Sequence, residues 1–345
     1  MRLDRLTSLR FFAAMLVVGV HLSYCLRDSW LTPVLRHGGT GVGFFFILSG
    51  FVLAWSHRDG DTATAFYRRR FARVYPLHAL MWVVLVTLGA AGLTTYAGLV
   101  TDLPALVLLQ VWFARATVYF GANGVSWTLG CEAFFYALFP FLLTRLKRLS
   151  IRRLQYLAFA CFTGIAVVGA AVDPRTDHGA WLLTIFPPIR VLEFVIGVCL
   201  ALLMRLGWRL PIAEPLALTL AVISLAATNL APSGLSAVFV TAPPFAALIA
   251  ASAAADLDGL PGWLRHPRLV TLGVWSFALY LCHQAIFNAV LANVDDAGVR
   301  QVMGLLAVPV AIALSGCLHV AVERPAERRL RGVPVGRRGP GRVTP

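Results

Sequence analysis

The chain has 345 residues, of which 59% are hydrophobic and only 13% are charged. Soluble globular domains contain about 25% charged and 45–50% apolar residues, so this composition excludes an ordinary soluble protein and predicts a polytopic membrane protein. A net charge of +14 would indicate nucleic-acid binding in a soluble protein. Here the arginines lie in short segments between apolar runs, which follows the positive-inside rule and argues against a nucleic-acid partner.

The hydrophobic pattern predicts an all-α fold of about ten transmembrane helices, in one domain over residues 1–330. Basic residues cluster at alternate connections, beginning with Arg2 and Arg5 before the first span. An even number of spans with this alternation places both termini in the cytoplasm. Residues 331–345 are rich in Gly, Pro and Arg and are expected to form a disordered cytoplasmic tail. The predicted spans are 10–27, 40–56, 75–94, 127–144, 154–172, 188–206, 212–230, 236–255, 269–293 and 301–321.

Residues 99–113 form an apolar segment that does not fit this pattern. The segment is short for a membrane-spanning helix and contains Pro104. If it crossed the membrane, every later basic connection would face outward, against the positive-inside rule. We therefore expect this segment to be re-entrant or interfacial.

The first predicted span carries two strongly polar side chains, Arg10 at its start and His21 near its middle. Eleven helical residues correspond to about three turns plus 20°, so both side chains lie on one face, about 16 Å apart along the axis. An ionisable group inside a membrane helix is costly and indicates a functional site. The alternative is a packing histidine that hydrogen-bonds a neighbouring carbonyl.

Two further groups of polar residues occur near predicted membrane boundaries. Arg70 and Arg73 are three residues apart in an arginine-rich segment, and their planar guanidinium groups suit a phosphate-bearing ligand. A positive-inside anchor is the simpler interpretation of such a cluster. Glu132 and Tyr136 are i, i+4 neighbours at the start of a span, where the carboxylate either pairs with an arginine or orients a histidine. The simpler alternative is an interfacial glutamate at the outer headgroup level.

The second half of the chain contains three polar patterns within or beside predicted spans. Arg190 and Glu193 are close enough for an internal, structural ion pair. Glu323 follows the last span, where a solvated helix end is the simplest interpretation. One face of the ninth span carries Ser276, Tyr280 and His283.

The six cysteines are scattered along the chain without a CxxC motif, so we predict neither a metal site nor a disulfide.

Taken in order, these motifs resemble the integral-membrane acyltransferase-3 family. The resemblance covers about residues 3 to 330. One departure is Gly43, which stands where many members carry a polar residue, often Asp, so a carboxylate there is either absent or supplied from elsewhere. The matching features are Leu9-Arg10 through His21, the Gly- and Phe-rich stretch 41–51, Arg70-Phe-Ala-Arg73, Ser126-Trp-Thr-Leu-Gly-Cys-Glu132, Ser276 to His283, and Glu323-Arg-Pro325.

The resemblance implies transfer of an acyl group, often acetyl, from cytoplasmic acyl-CoA to a hydroxyl group of a cell-envelope carbohydrate or a secondary metabolite such as a macrolide. His21 would be the general base, or less readily a transient acyl carrier. Arg10 would neutralise a CoA phosphate or fix the lower part of the channel, and Glu132 would orient groups or balance charge. Arg70 and Arg73 would contact the CoA phosphates. Supporting or substrate-contacting roles would fall to Ser126, Trp127, Tyr136, Ser276, Tyr280, His283 and Glu323.

The same resemblance implies no tightly bound cofactor and no metal, with acyl-CoA as a substrate. The expected partners are this donor, a hydroxylated acceptor and the lipid bilayer of a bacterial cytoplasmic membrane. A proton-coupled transporter or exporter is the competing class, with Glu132 and His21 as proton relays. The sequence shows no repeated pair of interrupted helices, which weakens that alternative.

Overall fold

The computed structural model describes residues 3–26, 29–94, 98–228 and 234–330, except for the side chains of 234–237. All regular structure within these ranges is helical, as the composition and hydropathy predict. The predicted disordered tail at 331–345 lies outside the described residues. The longer helices are α1 (Asp4–Cys25), α2 (Gly41–Ser56), α3 (Ala63–Ala90), α4 (Trp127–Leu146), α5 (Ile151–Ala171), α6 (Pro187–Arg205), α7 (Glu214–Ala227), α8 (Gly234–Leu257), α9 (Pro267–Asn293) and α10 (Ala297–Leu318).

Nine helical stretches in the described part of the chain are long and apolar enough to cross a membrane. They contain every helix named above except α7, and short helical turns extend α2, α4, α6 and α10. Helix α7 lies in the predicted seventh span but has only 14 residues, which corresponds to about 21 Å of rise. The protein is therefore an all-α, multi-pass membrane protein, and the cytoplasmic placement of its termini stays a prediction.

Two helices begin well before their predicted spans. Helix α1 begins at Asp4 instead of residue 10, and α3 begins at Ala63 instead of residue 75. Hydropathy marks only the apolar part of a helix, whereas the helix itself continues until its backbone is capped. In α3 the Thr62 hydroxyl accepts a hydrogen bond from the Ala65 N–H, and the arginine-rich segment forms the polar first turns.

As predicted, the apolar segment at 99–113 does not form a membrane-spanning helix. It folds into a short helix, Leu99–Leu106, and a 3₁₀ turn, Gln110–Trp112. Two ring N–H groups of α3 hold it: His78 Nε2 lies 2.9 Å from the Ala105 carbonyl oxygen, and Trp82 Nε1 donates to the Asp102 carbonyl at 2.9 Å. The segment is thereby fixed against the helical bundle.

Glycines allow two helix pairs to meet backbone to backbone. A Cβ atom at Gly197 of α6 would lie 1.9 Å from the Ile47 carbonyl oxygen of α2. A Cβ atom at Gly273 of α9 would lie 1.8 Å from the Thr7 carbonyl oxygen of α1. Small residues permit such close approach in membrane bundles. The α1–α9 contact brings the face that carries His21 against the second half of the chain.

The charge pattern placed Arg5 in a basic segment before the first span, but Arg5 lies inside α1 and is buried. Its side chain is 1% exposed, with Nε 3.0 Å from Glu214 Oε2 and Nη1 2.8 Å from Asp256 Oδ1. Its Nη2 donates to the backbone carbonyls of Leu260 and Pro261. The early start of α1 explains the difference, because the first turn of this helix packs against α7 and the end of α8.

Candidate active site

Three cavities follow one another through the described part of the bundle. An outer cavity of about 750 Å³ lies at the end of α1 that carries His21. An inner cavity of about 130 Å³ shares Val42 and Tyr280 with the outer one. A mouth cavity of about 420 Å³ shares Leu53 and Arg70 with the inner one. The shared lining residues place the three cavities in series, as a candidate route from the arginine-rich end of the bundle to His21.

His21 lies in the wall of the outer cavity and contacts a second histidine. Its Nδ1 atom lies 3.1 Å from the Val17 carbonyl oxygen and 3.1 Å from His283 Nε2. The Nδ1 atom of His283 lies 3.0 Å from the Leu279 carbonyl oxygen. The carbonyl contact expected of a packing histidine is therefore present, but the same ring also faces a large cavity.

The inner cavity brings together several predicted site residues. Arg10, Arg70, Glu132, Tyr136 and Ser276 all line it. The Tyr136 hydroxyl donates to Glu132 Oε2 at 2.8 Å, which fixes the carboxylate as the i, i+4 spacing predicted. Arg10 and Arg70 both act on Glu132 electrostatically. Glu132 therefore lies inside the bundle and faces a cavity that Arg10 and Arg70 also line.

Arg73 also borders the inner cavity, but its charge is already neutralised. Its Nη1 lies 2.7 Å from Glu327 Oε1 and 3.2 Å from Glu323 Oε2. Its guanidinium lies over the Phe277 ring at 5.6 Å. Arg73 therefore already has two carboxylate contacts in the bundle, and binding of phosphate by Arg70 and Arg73 stays a prediction.

Glu323 is buried and not at a solvated helix end, so that interpretation was wrong. Its side chain is inaccessible and accepts from His319 Nδ1 at 2.9 Å as well as from Arg73. The last span continues beyond Leu318 into a π-helical turn, His319–Glu323, which keeps the carboxylate inside the bundle. A polar residue at a hydropathy boundary is therefore not necessarily solvated.

Tyr280 stands between the outer and inner cavities. Its hydroxyl donates to the Val125 carbonyl at 3.1 Å and accepts from the Thr128 hydroxyl at 3.0 Å. Trp127 lines the outer cavity beside it. Ser126 is buried with its Oγ 3.4 Å from Gln110 Nε2, and it belongs to the lining of neither cavity. Tyr280 and Trp127 are therefore in contact with the route, whereas Ser126 supports the start of α4.

The predicted ion pair between Arg190 and Glu193 is confirmed, at 3.0 Å between Nη2 and Oε2. Arg190 also lines the outer cavity, with its guanidinium 5.1 Å from the Phe46 ring centroid. A Cβ atom at Gly43 would lie 2.5 Å from Glu193 Oε1. Glu193 Oε1 therefore occupies the space that a side chain at position 43 would take, and the glycine makes room for it.

Asp102 is a site residue that the sequence patterns did not indicate. It lines the outer cavity, is 1% exposed, and accepts from the Ala122 N–H at 2.8 Å. Burial raises the pKa of this carboxyl, and the hydrogen bond from Ala122 opposes the shift. Ala122 has a φ of 54°, which is uncommon for a residue other than glycine. The hydrogen bond from its N–H to Asp102 therefore holds a strained turn at the edge of the cavity.

The mouth cavity adds two arginines, Arg58 and Arg69, to Arg70. Asp61 Oδ2 lies 3.0 Å from Arg69 Nη2, and His57, Phe66 and Phe139 complete the wall with Leu53 and Ser56. The arginine-rich segment was visible in the sequence, but Arg58 comes from the connection before α3, and its place beside Arg69 depends on the fold.

In the described ranges no three His, Cys, Asp or Glu side chains come together as metal ligands.

Comparison with known proteins gives a consistent set of matches. Residues 3–322 match the family model described as an acyltransferase domain. The chain is 36% identical to acyltransferase MdmB of Streptomyces mycarofaciens, over 100% of this chain and 95% of that protein. It is 29% identical to the exopolysaccharide production protein ExoZ of Rhizobium meliloti, over 85% of this chain and 91% of that protein. Nodulation protein 10 of Rhizobium leguminosarum bv. viciae is 28% identical over 82% and 83% of the two chains. No solved structure matches.

Proposed function

Because the chain belongs to the acyltransferase family whose model it matches over residues 3–322, we propose that it is a membrane O-acyltransferase that uses cytoplasmic acyl-CoA. Residues 1–330 act as one catalytic domain, and the group transferred is acetyl. The observation that carries this proposal is the line of three cavities, which leads from Arg58, Arg69 and Arg70 to His21. The family favours this reaction over the proton-coupled exporter.

The arginine-rich end faces the cytoplasm in this proposal. The α2–α3 and α4–α5 connections carry arginines, and both lie on the side of the amino terminus when every helix crosses the membrane. The relatives named above come from bacteria, which supports placement in the bacterial cytoplasmic membrane with both termini inside. The outer cavity then opens toward the opposite side.

The mouth cavity binds the nucleotide end of CoA. Arginine guanidinium groups bind phosphate oxygens through paired, charge-assisted hydrogen bonds. Arg58, Arg69 and Arg70 surround this cavity, and aromatic rings of Phe66 and Phe139 border it. Arg73 takes no direct part, since two carboxylates hold it as a link between α3 and the end of the last span, whereas Arg69 has one carboxylate contact, Asp61.

The pantetheine arm extends from the mouth through the inner cavity. Its amide groups pass Arg10 and Ser276, while Glu132 balances the charges of Arg10 and Arg70. The eleven-residue separation between Arg10 and His21 corresponds to about 16 Å, which is comparable to the reach of the arm. The thioester therefore arrives beside Tyr280, at the boundary with the outer cavity.

The reaction is direct transfer by general-base catalysis. His21 takes the proton of the acceptor hydroxyl as the oxygen attacks the thioester carbonyl. A carbon–oxygen bond forms, the carbon–sulfur bond breaks, and the CoA thiolate recovers the proton from His21. The products are an ester and CoA, so no covalent enzyme intermediate is required.

The acceptor is a carbohydrate of the cell envelope or a glycosylated secondary metabolite such as a macrolide. The outer cavity is large, about 750 Å³, and combines the rings of Tyr24 and Trp127 with the amides of Gln284 and Asn288. Aromatic faces and amide groups together suit the apolar faces and hydroxyl groups of sugars. The name of the relative from Rhizobium meliloti, an exopolysaccharide production protein, is in line with this class.

Two acyl donors, acetyl-CoA and S-acetyl-pantetheine, test whether the CoA nucleotide binds in the mouth cavity. Replacing Arg58 and Arg69 together with glutamine is expected to raise KM for acetyl-CoA by about tenfold or more for each arginine, since each lost charge-assisted hydrogen bond costs about 1.5–3 kcal/mol. KM for S-acetyl-pantetheine, which lacks the nucleotide, should not change. The measurement is the rate of CoA or pantetheine release in the presence of acceptor extract.

Arg175→Gln is the matched control, because Arg175 is exposed and belongs to the opposite, outer connection. It should leave both KM values unchanged. An equal change in KM for the two donors would contradict the nucleotide position, and absence of transfer from both donors to any acceptor would contradict the proposed reaction itself.

A further inference from the structure

His21 and His283 form a hydrogen-bonded pair that the proposed reaction uses only in part. We propose that His283 is a positioning residue that keeps the proton of His21 on Nδ1, so that Nε2 is the basic atom directed at the acceptor. This role rests on the proposed function, in which His21 is the general base. It adds which nitrogen of the His21 ring acts as the base, Nε2, and which residue selects that nitrogen, His283.

The carbonyl contacts determine where each ring carries its proton. His21 Nδ1 lies 3.1 Å from the Val17 oxygen, and His283 Nδ1 lies 3.0 Å from the Leu279 oxygen. A carbonyl oxygen only accepts hydrogen bonds, so each Nδ1 atom carries hydrogen. A neutral imidazole has a single N–H, so the Nδ1–H of His21 is shared between the Val17 oxygen and His283 Nε2, each 3.1 Å away, and His283 Nε2 is an acceptor.

The surroundings favour two neutral rings. His283 is fully buried, and its ring neighbours besides His21 are Tyr280 and Phe287, at 6.0 and 6.5 Å between centroids. Among the described residues, neither histidine shares a hydrogen bond or ion pair with a carboxylate. An unpaired imidazolium inside a membrane bundle is costly, so the resting pair is uncharged.

The free nitrogen of His21 then faces the acceptor. His21 is partly exposed and lines the outer cavity, and its Nδ1 is engaged with both Val17 and His283. The acceptor hydroxyl can therefore meet only Nε2. A serine–histidine–aspartate triad fixes its histidine in the same sense through a carboxylate. A neutral histidine performs this orientation without adding a charge to the membrane interior.

Histidine-labelled protein in lipid bilayers tests the pair independently of any activity. Solid-state ¹⁵N and ¹³C spectra report which ring nitrogen is protonated, and a His21→Gln spectrum identifies the His21 signals among the eight histidines. We expect the Nδ1–H form for His21, which is the minor tautomer of free histidine. A His21 ring protonated on Nε2 in the wild-type protein would overturn the proposal.

Kinetics of two His283 variants test the consequence for transfer. Leucine at position 283 cannot accept from His21, and kcat should fall about 10- to 100-fold, as part of the 10²–10⁴-fold contribution of a general base. KM for donor and acceptor should stay within about twofold, because His283 contacts neither. Glutamine places an amide oxygen near the position of Nε2 and should restore most of kcat.

Cys282→Ala is the matched control, since Cys282 is the buried neighbour on the same helix and lines none of the three cavities. It should leave kcat unchanged. Equal loss of kcat in the leucine and glutamine variants would overturn the role of His283 as a hydrogen-bond acceptor for His21. A change confined to KM would overturn it as well. Failure of the wild-type protein to transfer acyl groups would instead refute the proposed function, and the spectra would still decide the tautomer.

Discussion

Replacing His21 with alanine is expected to lower kcat for acyl transfer by about 10²–10⁴-fold, the usual contribution of a general base. The acceptor hydroxyl would then lose its proton acceptor, while the cavities that bind both substrates stay largely intact. KM for acetyl-CoA should change little, because His21 lies in the outer cavity and the arginines lie at the other end of the route. Steady-state kinetics of purified protein measure both constants.

His178→Ala provides the control, because His178 is exposed in the short helix Asp177–Thr184 before α6 and lines none of the three cavities. This variant should retain wild-type kcat. Comparable thermal unfolding of the two variants would show that both are folded. A His21→Ala protein that keeps kcat within a few-fold of the wild-type value would remove His21 from the mechanism.

The largest effect on stability is expected at Arg5. Replacement with methionine preserves much of the side-chain volume but leaves Asp256 without its closest cation, and Asp256 is 5% exposed. Removing one member of a buried ion pair typically costs about 3–5 kcal/mol, and here both Asp256 and Glu214 would lose their contact with the Arg5 guanidinium. The free energy of unfolding in detergent should fall by about this amount.

Arg265→Met is the matched control for Arg5. Its Nε lies 3.9 Å from the same Asp256 oxygen, but its side chain is 44% exposed. Exposed ion pairs contribute about 0–1 kcal/mol, so this variant should unfold almost like the wild-type protein. Adding Asp256→Asn to Arg5→Met should recover part of the lost stability. Equal unfolding free energies for Arg5→Met and Arg265→Met would contradict the buried network.

The sequence predicted those parts of the site that depend on local spacing. Arg10 and His21 share one helix, Glu132 meets Tyr136 one turn away, and the pair formed by Arg190 with Glu193 was expected from their separation. In each case helical geometry alone brings the side chains together. These residues were therefore accessible to prediction before any tertiary structure was considered.

Contacts between distant parts of the chain were not accessible in the same way. The partner of His21 is 262 residues away, and the carboxylates that neutralise Arg73 are 250 and 254 residues away. Such pairs depend on which helix faces meet, and a single sequence does not determine this. Helix ends were also misplaced, since hydropathy follows the apolar part of a span and misses the polar turns that carry Arg5 and Arg70.

The reaction we propose transfers an acyl group from CoA at the arginine-rich end to a hydroxyl group beside His21. Its most direct test supplies acetyl-CoA labelled in the acetyl group to purified protein, together with an extract of cell-envelope and metabolite acceptors, and follows the label. We predict that the wild-type protein places label in an ester-linked product and that His21→Ala does not. Absence of both labelled product and CoA release with every acceptor fraction would contradict the account.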